Sequence, residues 1–157
     1  MAAPAFGRID RNILRELQED GRLSLAELAR RVGLSATPCK ERVRRLEQAG
    51  VIRGYHALLD PAQLGRGLVV FVQIRLSRKS QDAFAAFARR ARELPEVQEC
   101  YLVSGNFDYL IKARVADMDA YRRFLGETLL SLPEVQESTS YAAMEQVKDS
   151  NDLPIPY

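Results

Sequence analysis

One histidine in 157 residues, two cysteines and no long apolar run are the first facts of this chain. Acid–base chemistry on small substrates commonly recruits histidine. The one present, His56, lies far in sequence from any candidate cleft and reads as a surface residue. No nucleotide-binding glycine loop and no paired-carboxylate motif occurs, so neither an enzyme nor a bound cofactor is expected. Cys39 and Cys100 do not make a metal site or a disulfide framework and read as buried, reduced thiols. No apolar stretch approaches the length of a membrane span, so no membrane partner is expected. The start, MAAPAFGRID, lacks the charged head and apolar core of a secretion signal, which makes the cytoplasm the expected compartment.

Charge of either sign is not in large excess: the formal net charge is +2. Its distribution says more. Residues 1–60 hold 11 basic and 8 acidic side chains, a net of +3, and residues 61–157 hold 12 and 13, a net of −1. Between Arg30 and Arg45 stand six cations and one acid. A positive stretch in an otherwise balanced chain is the electrostatic footprint of a polyanion contact. With so modest a total charge, one copy should bind weakly and affinity should come from several linked copies.

Residues 22–59 read RLSLAELARRVGLSATPCKERVRRLEQAGVIRGYHALL. Leu25, Leu28, Ala29 and Val32 recur at helical spacing and form a one-sided apolar stripe. Gly33 supplies the left-handed residue that ends a helix, and Leu34 can fold back under the turn. Ser35 is placed to cap a second helix running from about Ala36 to Gln48. On that helix Cys39, Val43 and Leu46 share one inward face. Its other side carries Thr37, Glu41, Arg44, Arg45 and Gln48, flanked by Lys40 and Arg42. Val51 to Tyr55 then reads as a short strand and wing tip, with Arg53 in it. Helix, glycine turn, basic helix and strand are the layout of a winged helix-turn-helix. Ser35, Thr37, Lys40, Glu41, Arg42, Arg44, Arg45, Gln48 and Arg53 are the candidate contacts to double-stranded DNA. Hydroxyl, amide and guanidinium groups reach base edges, and flanking cations meet phosphates.

The second half repeats itself. LPEVQE stands at 94–99 and again, unchanged, at 132–137. Phe84, Phe87, Ala88, Ala91 and Leu94 form a helical stripe before the first copy. Tyr121, Phe124, Leu125, Thr128 and Leu132 form one before the second. Each helix follows strand-like sequence, LVVFVQIRL at 68–76 and FDYLIKARV at 107–115, and each repeat opens a further strand. The order β-α-β-β-α-β predicts a ferredoxin-like domain. The fold class is therefore α+β: a winged helix-turn-helix at 8–59, a linker at 60–67 marked by Pro61, Gly65 and Gly67, a ferredoxin-like domain at 68–148 and a flexible tail at 149–157. The first six residues also read as poorly ordered. One sheet face is left open, with apolar residues on both sides of the strand at 107–115, so a homodimer is the simplest cover.

With both halves read, the chain resembles the Lrp/AsnC family of leucine-responsive and feast/famine regulators, the leucine-responsive members in particular. The resemblance runs from about Ile9 to Asn151. It rests on IDRNIL at 9–14, RVGLS at 31–35, TPC at 37–39, ERVRRLE at 41–47, QECYLVSG at 98–105, FDYL at 107–110, AYR at 120–122, LGETLL at 125–130 and ME at 144–145. It implies a nucleoid-associated regulator of transcription whose dimers assemble to octamers or larger rings. It also implies a non-covalent amino-acid effector, leucine above all, bound between dimers. The region implied is the turn at 103–109, with Ser104, Gly105, Asn106 and Asp108, completed by Met118 and by Tyr141, Ala142 and Ala143. Asp108 suits an α-ammonium group, either directly or by holding the turn in shape. Ser104 and backbone N–H groups suit a carboxylate. Read from the residues alone, Ser-Gly-Asn is first a hairpin turn with Asp108 as its polar support.

The chain departs from the family pattern at four places. Asn106 stands where an acid is usual, and Ala142 and Ala143 stand where β-branched residues are common. Ala36 replaces a frequent proline and Lys40 an apolar residue. The pocket should be wider and less negative, and Lys40 should add a phosphate contact. Two rival functions follow from the same residues: a DNA-architectural protein without an effector, and a ferredoxin-like enzyme such as a haem-precursor decarboxylase.

Overall fold

The computed structural model describes residues 6–155. They divide into two compact units, residues 6–58 with 149–155 and residues 59–148.

The first unit is built on α1 (Arg8–Glu19), α2 (Leu25–Val32) and α3 (Ala36–Gln48). Leu28, Ala29 and Val32 of α2 are buried with Ile13 of α1 and with Cys39 and Leu46 of α3. Leu25 and Val43 pack at the edge of that cluster. Fully burying an aliphatic side chain of this size contributes about 1.5–3 kcal/mol, so a six-residue core suffices to hold three short helices together. Ser24 caps α2, its Oγ accepting from the Glu27 N–H at 3.2 Å. Gly33 ends α2 at φ 71°, a left-handed conformation that costs glycine little. The Leu34 N–H then bonds back to the Ala29 carbonyl at 2.9 Å.

Three expectations for this unit need correction. Ser35 occupies the N-cap position of α3, but its side chain makes no capping bond. Residues 51–55 form no strand, because a strand needs a partner and this unit holds none among the described residues. They are instead pinned locally: the Val51 and Ile52 N–H groups bond to the Leu46 carbonyl, and the Tyr55 hydroxyl donates to Glu47 at 3.1 Å. Burial and that acceptor push the Tyr55 phenol up to about 12. Finally, residues 149–155, read as a flexible tail, belong to this unit. Residues 1–5 and 156–157 lie outside the described residues, while Phe6, read as poorly ordered, packs at the edge of the helical core.

The second unit is a four-stranded antiparallel sheet in the order β2-β3-β1-β4. Its strands are β1 (Leu68–Leu76), β2 (Val97–Leu102), β3 (Tyr109–Val115) and β4 (Val135–Ala142). The crossovers are α4 (Gln81–Glu93) and α5 (Met118–Arg123), the latter continuing as a π-helical turn over Phe124–Leu129. This is the βαββαβ arrangement read from the repeat. Val70, Val72, Ile74 and Leu76 alternate along β1 and face the helices, as do Tyr109, Ile111, Ala113 and Val115 along β3. Phe87 and Leu129 close the core from above, both fully buried. Leu129 was missing from the expected stripe, because the i→i+5 bond from Leu130 to Leu125 widens the last turn and shifts its face.

The repeat has a structural meaning. In each copy the valine N–H bonds to the leucine carbonyl three residues earlier, Val97 to Leu94 at 3.1 Å and Val135 to Leu132 at 3.0 Å. Each glutamate carbonyl then accepts from a backbone N–H, Glu96 from Arg114 on β3 and Glu134 from Ser77 just past β1, both at 2.8 Å. One hexapeptide thus makes the same helix-to-strand turn twice.

Candidate nucleic-acid interface and effector region

The outer side of α3 carries Ser35, Thr37, Lys40, Glu41, Arg44, Arg45 and Gln48, all exposed, and Arg53 is exposed beyond it. Arg42 is half-buried. The inward face is occupied by Cys39 and Leu46, and burial pushes the Cys39 thiol up, which keeps it protonated and inert. Pro38, Glu41, Arg42, Arg44, Arg45 and Gln48 line a shallow concavity on the outer side.

The cations of α3 are not equivalent. Asp10, in the first turn of α1, is only 6% exposed. Its two carboxylate oxygens take one arginine each, Arg42 at 2.8 Å and Arg45 at 3.0 Å. A carboxylate withdrawn from water needs such partners, so Asp10 ties the middle of α3 to α1. Among the described residues, Arg44 pairs only with Glu41, at 3.7 Å on the same exposed helix face. Arg44, with Lys40 beside it, is thus available to a polyanion, whereas Arg42 and Arg45 are held by an internal acid. The sequence places Arg44 and Arg45 toward base edges and Lys40 and Arg42 toward phosphates, and it does not point to Asp10. That carboxylate lies 32 and 35 residues before its partners, and no local periodicity joins them.

In the sensor unit the turn after β2 is braced from β1. The Asp108 N–H bonds to the Ile74 carbonyl at 2.8 Å and the Val103 N–H to the Asp108 carbonyl at 3.0 Å. Asp108 is 6% exposed, with its side chain turned inward. Its Oδ2 accepts from the Leu76 N–H at 2.8 Å, and its Oδ1 lies 3.4 Å from Lys79 Nζ. Of the two roles expected for Asp108, the geometry therefore serves the second, holding the turn. Arg75 donates to the Asn106 carbonyl at 2.8 Å and pairs with Glu137 at 3.0 Å. Ser104, Gly105 and Asn106 are exposed, and the Gly105 backbone faces open space.

The eight expected effector residues do not converge within one chain. Tyr109, beside the turn, pairs with Ile74, whereas Val115, just before Met118, pairs with Leu68. Ala142 pairs with Val70, and the Ala143 N–H bonds to the Val69 carbonyl at 2.9 Å. Met118, Tyr141, Ala142 and Ala143 thus belong to one end of the sheet, and Ser104, Gly105, Asn106 and Asp108 to the other. Six residues of strand separate the ends, about 20 Å. Met118 and Tyr141 are exposed, at 55% and 51%.

The open sheet face carries Phe71, Tyr101, Leu110 and Tyr141, with Lys112 paired to Glu99 at 2.9 Å among them. Cys100, on the helix side of β2, is half-buried rather than buried, and burial raises its thiol against the opposing effect of Arg92. His56 is exposed, and among the described residues no cluster of histidine, cysteine and acidic side chains suits a metal ion. No helix among the described residues is long and apolar enough to cross a membrane.

Residues 69–153 match the Lrp/AsnC ligand binding domain, and residues 7–53 match a winged helix-turn-helix DNA-binding domain. The chain is 60% identical over 148 residues to the leucine-responsive regulatory protein of Salmonella typhimurium, spanning 94% of this chain and 90% of that one. Its fold superimposes on a transcriptional regulator from Neisseria meningitidis in complex with L-Met, with TM-score 0.91, 41% identity and coverage of 96% and 97%. An AsnC family regulator from Agrobacterium tumefaciens gives TM-score 0.90 at 43% identity, covering 95% of this chain and 97% of that one. A helix-turn-helix with a cationic outer helix, joined to an α+β ligand-binding unit, defines a DNA-binding transcriptional regulator. The chain belongs to the Lrp/AsnC family.

Proposed function

We propose that this regulator binds its operators through the outer edge of α3 and is modulated by a small amino acid bound between copies of the chain. The observation that carries the reading is the division of the effector residues between opposite ends of one sheet. A pocket that needs both groups is completed only when one copy brings its turn at 103–108 against Met118 and Tyr141 to Ala143 of another. The open face with Phe71, Tyr101 and Leu110 is the surface for the first pairing into dimers, which then assemble to octamers or beyond. The L-Met bound to the Neisseria regulator supports an amino-acid effector, and the leucine-responsive relative makes leucine the first candidate. Thr37, Lys40, Arg44 and Gln48 serve as the direct contacts to DNA. Ser35 and Arg53 flank them, and Arg42, Arg45 and Glu41 set their positions. The protein acts in the cytoplasm on the nucleoid.

The test is operator binding by the full-length protein at fixed salt, titrated with leucine and methionine, with calorimetry on the same samples. The reading expects a saturable shift of the binding isotherm by one of them. Operator binding with no amino acid bound in the calorimeter would favour an effector-free architectural role instead.

A further inference from the structure

After β4 the chain returns to the DNA-binding unit and is gripped there. The Gln18 side-chain amide, on α1, holds Leu153 twice. Its Nε2 donates to the Leu153 carbonyl at 2.9 Å and its Oε1 accepts from the Leu153 N–H at 3.0 Å. A primary amide that satisfies both backbone groups of one residue copies one rung of a β-ladder. Such a grip demands an extended backbone and ignores the side chain, and Leu153 is indeed 71% exposed. Arg15 donates to the Ile155 carbonyl at 3.4 Å. Pro154, between the two gripped residues, has a fixed φ and no N–H to satisfy, so the segment is preset for an extended path. Leu153, Pro154 and the half-buried Ile155 form one wall of a cavity of about 360 Å³, whose other wall includes Leu17, Val51 and Tyr55.

The connectivity gives this grip a consequence. The chain leaves the first unit at residue 58 and re-enters it at residue 149. The passage from residue 58 into the linker is one covalent connection between the units, and the docked tail makes a second.

We propose that residues 149–155 are a strap, and that the groove between α1 and residues 51–55 is the docking site for this chain's own C-terminal Leu-Pro-Ile segment. Because the segment is tethered, its effective concentration at the groove is high and a few hydrogen bonds suffice to seat it. Seating it removes freedom that the DNA-binding unit otherwise loses on meeting DNA, so the strap raises operator affinity.

The test uses the full-length protein, Gln18→Ala, Leu153→Pro, a chain ending at Lys148, and Gln18→Ala in that shortened chain. Gln18 is exposed and lies outside the buried core, and Leu153→Pro keeps the chain length while removing the gripped N–H. Hydrogen exchange of the tail should be about tenfold slower in the parent than in Gln18→Ala, as expected for loss of a hydrogen bond with a net contribution near one order of magnitude. Shortening the chain should weaken operator binding roughly three- to tenfold, a fraction of the ordering cost of association. Gln18→Ala and Leu153→Pro should shift it in the same direction, and Gln18→Ala should add nothing in the shortened chain. Equal tail exchange in parent and Gln18→Ala overturns the docking. Unchanged operator affinity on shortening, or a Gln18→Ala effect that persists without the tail, overturns the role in DNA binding.

Discussion

Asp10 and Asp108 are equally buried, at 6% exposure each, yet they serve their units in different ways. Asp10 is satisfied by two guanidinium groups of the helix that faces DNA. Asp108 is satisfied by a backbone N–H of β1 and by Lys79, and it fixes the path of a loop. The first acid organises side chains that act within one copy. On the proposed function, the second shapes one half of a site whose other half stands at the far end of the sheet. On that proposal, a DNA-reading surface written along a single helix is complete in a monomer, whereas an effector pocket divided between sheet ends waits for a second copy.

The largest effect that separates the two regions should come from the outer edge of α3. Lys40→Ala with Arg44→Ala removes the cations not held by Asp10, and at about 1–3 kcal/mol for each lost contact operator affinity should fall by about thirtyfold or more. Thermal unfolding should stay at the parent temperature, since both side chains are exposed. A marked drop in unfolding temperature would blur the division between contact and clamp.

Asp10→Ala should come next. It leaves Arg42 and Arg45 without their acid and removes one tie between α1 and α3, which stay joined by the core of Ile13, Cys39 and Leu46. Both arginines reach solvent, so the loss of stability should be about 1–2 kcal/mol rather than the larger cost of an uncompensated buried charge. Operator affinity should fall together with urea stability, and assembly should be untouched. Asp108→Ala removes a charge-assisted acceptor for Leu76 and should cost a similar 1–3 kcal/mol in the other unit. Its specific mark should be a ten- to hundredfold higher amino-acid concentration for half response, with operator affinity unchanged. Asp108→Asn, which keeps an acceptor oxygen, should fall between parent and alanine.

The smallest effect should be acid sensitivity of α2. Hydrogen bonds and charge from Arg30 and Arg31 hold the Glu27 carboxyl down at about 2, below its ordinary 4.5. A lowered folded value stabilises above the unfolded value and is lost as pH falls through the folded one. The contribution of Glu27 is therefore full above about pH 4.5 and disappears toward pH 2. Glu27→Gln should flatten that part of the acid-unfolding curve slightly, and raised salt should do the same because the pairs are exposed.

What was legible in the sequence follows the same division. The stripe Leu28, Ala29, Val32, the left-handed Gly33 and the inward Cys39 and Leu46 are local, and they stand as read. The LPEVQE repeat made the ferredoxin-like order readable because each copy builds its own turn. The pairing of Asp10 with Arg42 and Arg45, and of Gln18 with Leu153, could not be read, since each joins residues far apart whose meeting depends on packing. The missing Ser35 cap and the missing strand at 51–55 have a local appearance and a nonlocal cause. A hydroxyl need not take the bond it can take, and a strand needs a neighbour that one copy does not supply. The inward turn of Asp108 was one of two readings, and only the closeness of the end of β1 decides between them.

The most direct test is one set of operator-binding isotherms, with and without leucine, for the parent, Asp10→Ala and Asp108→Ala. The account predicts that Asp10→Ala loses operator affinity yet retains the relative shift produced by the amino acid. It predicts that Asp108→Ala binds operator like the parent and needs far more amino acid to shift. Loss of operator affinity in Asp108→Ala with normal binding in Asp10→Ala would contradict the assignment of DNA reading to α3 and of effector response to the turn at 103–108.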